Sequence, residues 1–203
     1  IIGDGAFENC LSLATLDLSE SAALETIGTR AFYRTSVTNE QTFVFPDTVK
    51  TVENEAFGSA SLTDVEFGEN LTFIGASAFA NNVTLKRAVI SLGTEEIGEY
   101  AFLNCNLSEL TLPESVKKLG RGILAGNDGF KAITLSGDLS VSDMFSKIEN
   151  GSIVREVPRN FRTATVLKGE IGEKQFFGVT SLQTVSVMPG VSAIGASAFE
   201  GCT

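Results

Sequence analysis

Residues 97–124 read IGEYAFLNCNLSELTLPESVKKLGRGIL, and the fold can be read from this stretch. It opens on Ile97-Gly98, passes through Ala101-Phe102, and runs on as Leu107-x-x-Leu110-x-Leu112. It then begins the same order again with Leu119-Gly120 and Ile123-Leu124. On either side of it, Ala-Phe recurs at 6–7, 31–32, 56–57, 78–79 and 198–199. A branched apolar residue stands five positions before each Phe: Ile2, Ile27, Val52, Ile74, Ile97 and Ile194, usually followed by Gly. Ile171-Gly172 with Gln175-Phe176 is a weaker copy, and Met144-Phe145 is a degenerate one. Successive Phe positions from Phe7 to Phe102 are 25, 25, 22 and 23 residues apart.

The Leu-x-x-Leu-x-Leu pattern repeats in phase with these landmarks. It returns as Leu13, Leu16, Leu18; Leu62, Val65, Phe67; Leu85, Ala88, Ile90; Phe130, Ile133, Leu135; and Leu182, Val185, Val187. Phe43 and Phe45 take this place in the second repeat, after a short insertion. The second half of the pattern alternates apolar with polar, the period of a strand buried on one face. No segment sustains a helical period long enough for a bundle. A unit of about 23 residues cannot bury its own apolar face, so stacked units must bury it for one another. The expected fold is therefore a solenoid of short parallel strands joined by short helical or irregular turns. The repeat Phe fills the interior at the same height in every coil, and the Gly after Ile is expected to turn the chain.

Composition agrees and excludes. Phe is present 15 times, whereas Trp and His are absent and Tyr occurs twice. Without His there is no His-based triad and no imidazole zinc ligand. Three Cys without a Cys-x-x-Cys spacing make no zinc site, and no cofactor motif is present. The net charge of −10 argues against nucleic acid and anionic membrane as partners. No apolar run reaches the length of a membrane span, so direct membrane insertion is not expected. The chain begins inside a unit at Ile1 and ends inside one at Thr203. We expect one repeat domain over 1–203 that is a fragment of a longer chain.

The pattern resembles the BspA-like, or Treponema-type, leucine-rich repeats, best seen in LSELTLPESVKKLG at 107–120 and VSAIGASAFEGC at 191–202. The resemblance implies a β-rich, horseshoe-like leucine-rich-repeat solenoid on a cell-surface or secreted protein. It also implies a non-catalytic adhesion role, with a curved repeat surface presented to an extracellular protein or glycan. A passive spacer is one alternative, and a carbohydrate-active enzyme using outward carboxylates is another, with Asp17 joining Asp64 and Glu66 from a neighbouring coil.

The positions between the strand landmarks should face outward and form the contact surface. They give Asp17, Asp64, Glu66, Arg87 and Glu109 as candidate partner-binding residues. A second candidate is the stretch 138–170, where the Ile-Gly and Ala-Phe landmarks fade. It holds five basic and five acidic residues and supplies Arg155, Arg159 and Arg162. Cys10, Cys105 and Cys202 each follow a repeat Phe by three residues, so they should be separate thiols buried in one interior column, too far apart to pair. Asn70, Asn82, Asn106 and Asn150 begin Asn-x-Ser/Thr sequons, acceptors only in a secreted eukaryotic protein.

Overall fold

The computed structural model describes residues 1–38 and 42–203, so part of the insertion in the second repeat lies outside the described residues. Each coil contributes to two parallel ladders. The narrow ladder is built at the Ile-Gly landmark from β1 (Thr26–Ile27), β3 (Thr51–Val52), β5 (Phe73–Ile74), β7 (Glu96–Ile97) and β9 (Lys118–Leu119), in that spatial order. Ile2 joins its start through a bridge to Ile27. The broad sheet comes from the Leu-x-x-Leu-x-Leu segments. Its first part is β2 (Phe43–Val44), β4 (Asp64–Glu66) and β6 (Arg87–Val89). Its second part is β8 (Glu109–Thr111), β10 (Ala132–Leu135), β13 (Thr163–Ile171) and β14 (Thr184–Ile194). β13 and β14 continue through register shifts as far as Ile171 and Ile194, which are themselves Ile-Gly positions.

The Ala-Phe segments form a third wall, and it is not helical. Phe7, Phe32, Phe57 and Phe79 each donate their backbone N–H to the Ala carbonyl of the next coil, at 2.7, 2.7, 2.8 and 2.8 Å. Residues two before and two after the Phe adopt positive φ: Arg30 and Arg34 at 55°, Ser77 at 54° and Asn81 at 63°. Both positions offer N–H groups to the following coil, as in Ser77 to the Glu99 carbonyl and Asn81 to the Leu103 carbonyl. Bonding between coils offsets a backbone strain that non-glycine residues ordinarily avoid. Among the described residues the only helical turn is a 3-10 segment, Ser142–Phe145.

The interior is a column of rings. Phe7, Phe32, Phe57, Phe79 and Phe102 stack face to face at centroid separations of 5.0, 4.9, 5.5 and 5.5 Å. Leu124 interrupts the column, and Phe176 and Phe199 resume it at 5.1 Å. The landmark Gly residues do not turn the chain. A Cβ on Gly98 would lie 2.5 Å from the Ala76 nitrogen, and one on Gly75 2.5 Å from the Asn54 nitrogen. At these positions Gly is favoured because the backbone of the preceding coil approaches too closely for a side chain, although the Val52 unit carries Glu53 at the same landmark.

The stretch 138–170 is a repeat interrupted by a hairpin. Met144 and Phe145 occupy the Ala-Phe place, since Leu124 N–H donates to the Met144 carbonyl. The chain then leaves the coil as antiparallel β11 (Ser146–Glu149) and β12 (Ser152–Arg155). Asn150 and Gly151 turn it with φ of 50° and 75°, the conformation of a tight two-residue hairpin. Phe161, Ala164 and Val166 then restore the core pattern, so Thr163–Val166 are in register with Ala132–Leu135.

Candidate functional site

The outward positions of the broad sheet fall into columns set by strand register. Asp64 lies beside Arg87, and Glu66 beside Val89. Glu109 lies beside Ala132, which lies beside Thr163 and then Thr184. Thr111, Thr134, Thr165 and Ser186 form the next column. The expected face therefore exists, but its chemistry divides at β6. Charged groups dominate before it and hydroxyls after it. Arg87 Nη2 stands 3.7 Å from Glu66 Oε2, with both side chains about half exposed (52% and 47%), a weak pair in water.

The strand pairing stops between β6 and β8. A groove of about 330 Å³ opens there, lined by residues 86–90 and 108–111, and it holds the candidates Arg87 and Glu109. Asp17 is not part of this face. The segment before it forms no strand against β2, and its Oδ1 accepts the Ser19 N–H at 2.9 Å. That backbone hydrogen bond holds the Asp17 carboxyl below its usual range. Its carboxylate closes a local turn.

The three arginines are distributed over different elements. Arg155 lies on β12 and reaches Asp143 Oδ1 at 3.3 Å. Arg159 and Arg162 lie on the return from the hairpin to β13, both exposed and in none of the ion pairs among the described residues. On the hairpin itself, Ile148 and Ile153 are directly opposite and more than half exposed (55% and 57%).

The cysteines share one column but not one environment. Cys105 is buried and its Sγ donates to the Phe79 carbonyl at 3.2 Å, and burial pushes its pKa up to about 12. Cys202 is half-buried, donates to the Phe176 carbonyl at 3.1 Å, and is also raised by burial. Cys10, in the first coil of the sequence, is exposed, against expectation. All three are free thiols.

The same column contains two residues whose role the sequence pattern did not suggest. Asn82 and Asn127, three residues after Phe79 and Leu124, are fully buried. Asn82 Oδ1 accepts the Leu62 N–H at 2.9 Å, and its Nδ2 donates to the Phe57 and Phe79 carbonyls at 2.7 and 2.9 Å. Asn127 repeats the arrangement with Leu107, Phe102 and Leu124 at 2.9, 2.9 and 3.1 Å. Asn82 is therefore a structural bracket rather than an exposed sequon. Asn70, Asn106 and Asn150 are exposed.

Among the described residues no cluster of three or more Cys, Asp or Glu could hold a metal ion, and no helix is long and apolar enough to cross a membrane.

No curated protein matches this chain. Solved structures do, at identities that speak to the fold alone. A leucine rich cell surface protein from Faecalibacterium prausnitzii A2-165 superposes with a TM-score of 0.62 at 21% identity, over 98% of this chain and 55% of that one. The leucine rich repeat protein of T. pallidum gives 0.54 at 21% identity, over 79% of this chain and 76% of that one. The pneumococcal vaccine antigen PcpA gives 0.53 at 21% identity, over 79% and 43%. The chain thus spans about half the length of the first of these structures. The model of the BspA type leucine rich repeat region matches residues 1–131 and 160–203 in 6 copies, leaving out the hairpin. With its landmarks, two ladders and Phe column in the same phase, the chain belongs to the BspA-type leucine-rich repeat family.

Proposed function

We propose that residues 1–203 act as one non-catalytic binding module of a cell-surface or secreted protein. The outward face of the broad sheet makes the main contact with an extracellular protein or glycan. The observation that carries this reading is the register itself: coils stacked about 4.8 Å apart hold outward side chains in straight columns, without drawing on the core. A surface of this kind recognises an extended partner through many small contacts. The engagement of Glu66 by Arg87, and of Asp17 by its own turn, also favours binding over acid–base catalysis. A surface location is supported by the description of the Faecalibacterium protein as a leucine rich cell surface protein.

In this reading Asp64, Glu66, Arg87 and Glu109 lie in the main contact, with Arg155, Arg159 and Arg162 as a flanking specificity element. The test is a titration of the chain over immobilised extracellular-matrix proteins and glycans. It compares Asp64→Ala/Glu66→Ala/Arg87→Ala with Arg155→Ala/Arg159→Ala/Arg162→Ala, with unfolding midpoints as the control. Saturable binding that weakens about tenfold in the sheet variant is expected, because three exposed charged side chains are removed together. Binding lost only in the arginine variant would move the contact to the hairpin side, and no saturable binding to any member of the panel would leave the chain a spacer.

A further inference from the structure

At the edge where the chain enters the broad sheet, one row of residues contains no carboxylate. Backbone hydrogen bonds join Lys86 to Thr63 at 2.8 Å, Lys131 to Ser108 at 2.7 Å, Arg162 to Lys131 at 3.0 Å and Gln183 to Arg162 at 2.9 Å. Two bonded runs, Thr63–Lys86 and Ser108–Lys131–Arg162–Gln183, thus occupy the same repeat position, one residue per coil, on either side of the break between β6 and β8. Lys86, Lys131 and Arg162 are exposed, and none takes part in an ion pair among the described residues. Arg159, also exposed and in no such pair, precedes Arg162 in the same turn. Most of the other cations are already engaged: Lys50 with Glu25, Lys118 with Glu96, Arg30 with Glu8, Lys147 with Glu149 and Glu156, and Lys168 with Glu114.

This row borders two further features. The groove between β6 and β8 opens directly beside it, with Lys86 and Ser108 in its lining. From β8 onward the adjoining outward columns hold Thr111, Thr134, Thr163, Thr165, Thr184 and Ser186, with Glu109 as their one carboxylate.

We propose that this rim and the hydroxyl columns beside it bind a linear glycan bearing carboxylate or sulfate groups. The inference deepens the binding-module reading and rests on it. The cations supply charge, while the hydroxyls and the groove supply hydrogen-bonding partners for sugar hydroxyls. A protein partner is disfavoured because contacts with protein concentrate their energy in apolar and aromatic anchors, and these columns contain none. A neutral glycan would leave the unpaired cations unused. The net charge of −10 opposes a polyanion at long range, but at physiological salt charges more than about 8 Å apart are largely screened, so the cations of the row set the contact locally. Lys86 and Arg162 lie three coils apart, about 14 Å at one strand spacing per coil, so the ligand must span several sugar units. Asp64 and Glu109, each directly after a rim residue, and Asp128, three residues before Lys131, are the carboxylates next to this rim along the chain, and they set a preference for spaced rather than dense negative charge.

The test is a titration of the chain with four probes: a uronic-acid polysaccharide, a sulfated polysaccharide, neutral dextran and poly-glutamate. The variants are Lys86→Gln/Lys131→Gln/Arg162→Gln and, as a control of equal charge change placed elsewhere, Arg34→Gln/Lys118→Gln/Arg121→Gln. We expect saturable binding of at least one anionic polysaccharide that weakens as salt is raised. It should fall about tenfold in the rim variant and hold in the control. Binding of dextran or of poly-glutamate at equal affinity would overturn the proposal, as would equal losses in both variants. If no anionic polysaccharide binds, the rim assignment fails, whereas the module reading fails only if the matrix panel also shows no saturable binding.

Discussion

Truncation of Phe79 to Ala is expected to destabilise the chain by about 3–5 kcal/mol, the usual range for a core Phe. The ring is fully buried and stacked on Phe57 and Phe102, each at 5.5 Å, with interplanar angles of 3° and 13°. Phe45 and Phe67 meet it edge-on at 6.1 and 5.3 Å. Removing it leaves a void that the flanking coils cannot close, because their backbones are fixed by the Ala-Phe hydrogen-bond ladder. Against a total stability of about 5–15 kcal/mol for an ordinary domain, the loss is large. In a solenoid it should also weaken coupling between the two halves and broaden or split the unfolding transition. Phe7→Ala is the comparison, because Phe7 is 40% exposed and stacks on one side only. Chemical denaturation should show a clearly lower midpoint for Phe79→Ala than for Phe7→Ala. Equal midpoints would mean that the ring column is not what holds the coils together.

The second large effect is expected from a polar residue. Asn82→Ala strands the Leu62 N–H and removes a donor from two buried carbonyls, those of Phe57 and Phe79. An unsatisfied buried group costs about 1–3 kcal/mol, so the total loss should reach about 3 kcal/mol or more. The neighbouring coils suggest a partial rescue. Cys105 stands at the equivalent position and donates its thiol to the Phe79 carbonyl at 3.2 Å. Asn82→Cys should therefore lose measurably less than Asn82→Ala when both are compared by urea unfolding. A loss under about 0.5 kcal/mol in Asn82→Ala, the range of surface changes, would mean that this bracket contributes little.

Much of this is legible from spacing. The Phe column, the parallel strands and the outward columns follow from a repeat whose phase survives in nearly every unit. The Gly after Ile is not read correctly in this way, because a regular phase says that a side chain is unwelcome but not whether turning or crowding excludes it. The positive-φ positions of the third wall carry Arg, Glu, Ser, Tyr, Asn and Lys in some coils and Gly5, Gly122, Gly126, Gly178 and Gly201 in others, so the glycine signature is intermittent and does not mark them from coil to coil. Their conformation is imposed by hydrogen bonds to the next coil. The hairpin does have a local signal: Asn150-Gly151 sits between Lys147-Ile148-Glu149 and Ser152-Ile153-Val154, alternating sequences around a two-residue turn. Inside the repeat frame that signal looks like one more degenerate unit. Asn82 begins a sequon and so suggests a surface site, although its phase three residues after Phe79 places it in the same interior column as Cys105. The cationic row is hidden because the hairpin separates Lys131 from Arg162 in sequence and conceals that they are neighbours in adjacent coils.

That neighbour relation across the hairpin underlies both the stacking and the surface, and an engineered disulfide probes it. Thr134 and Thr165 are register partners on β10 and β13, so their Cα atoms lie about 4.8 Å apart, within disulfide reach. Thr111 and Thr165 are two coils apart, about 9.6 Å, beyond that reach. In a Cys10→Ser background, mild oxidation of Thr134→Cys/Thr165→Cys is expected to give a single mapped disulfide between positions 134 and 165 in native protein. Thr111→Cys/Thr165→Cys should remain reduced under the same conditions. A bridge between positions 111 and 165, or none between 134 and 165, would contradict the stacking and, with it, the surface built upon it.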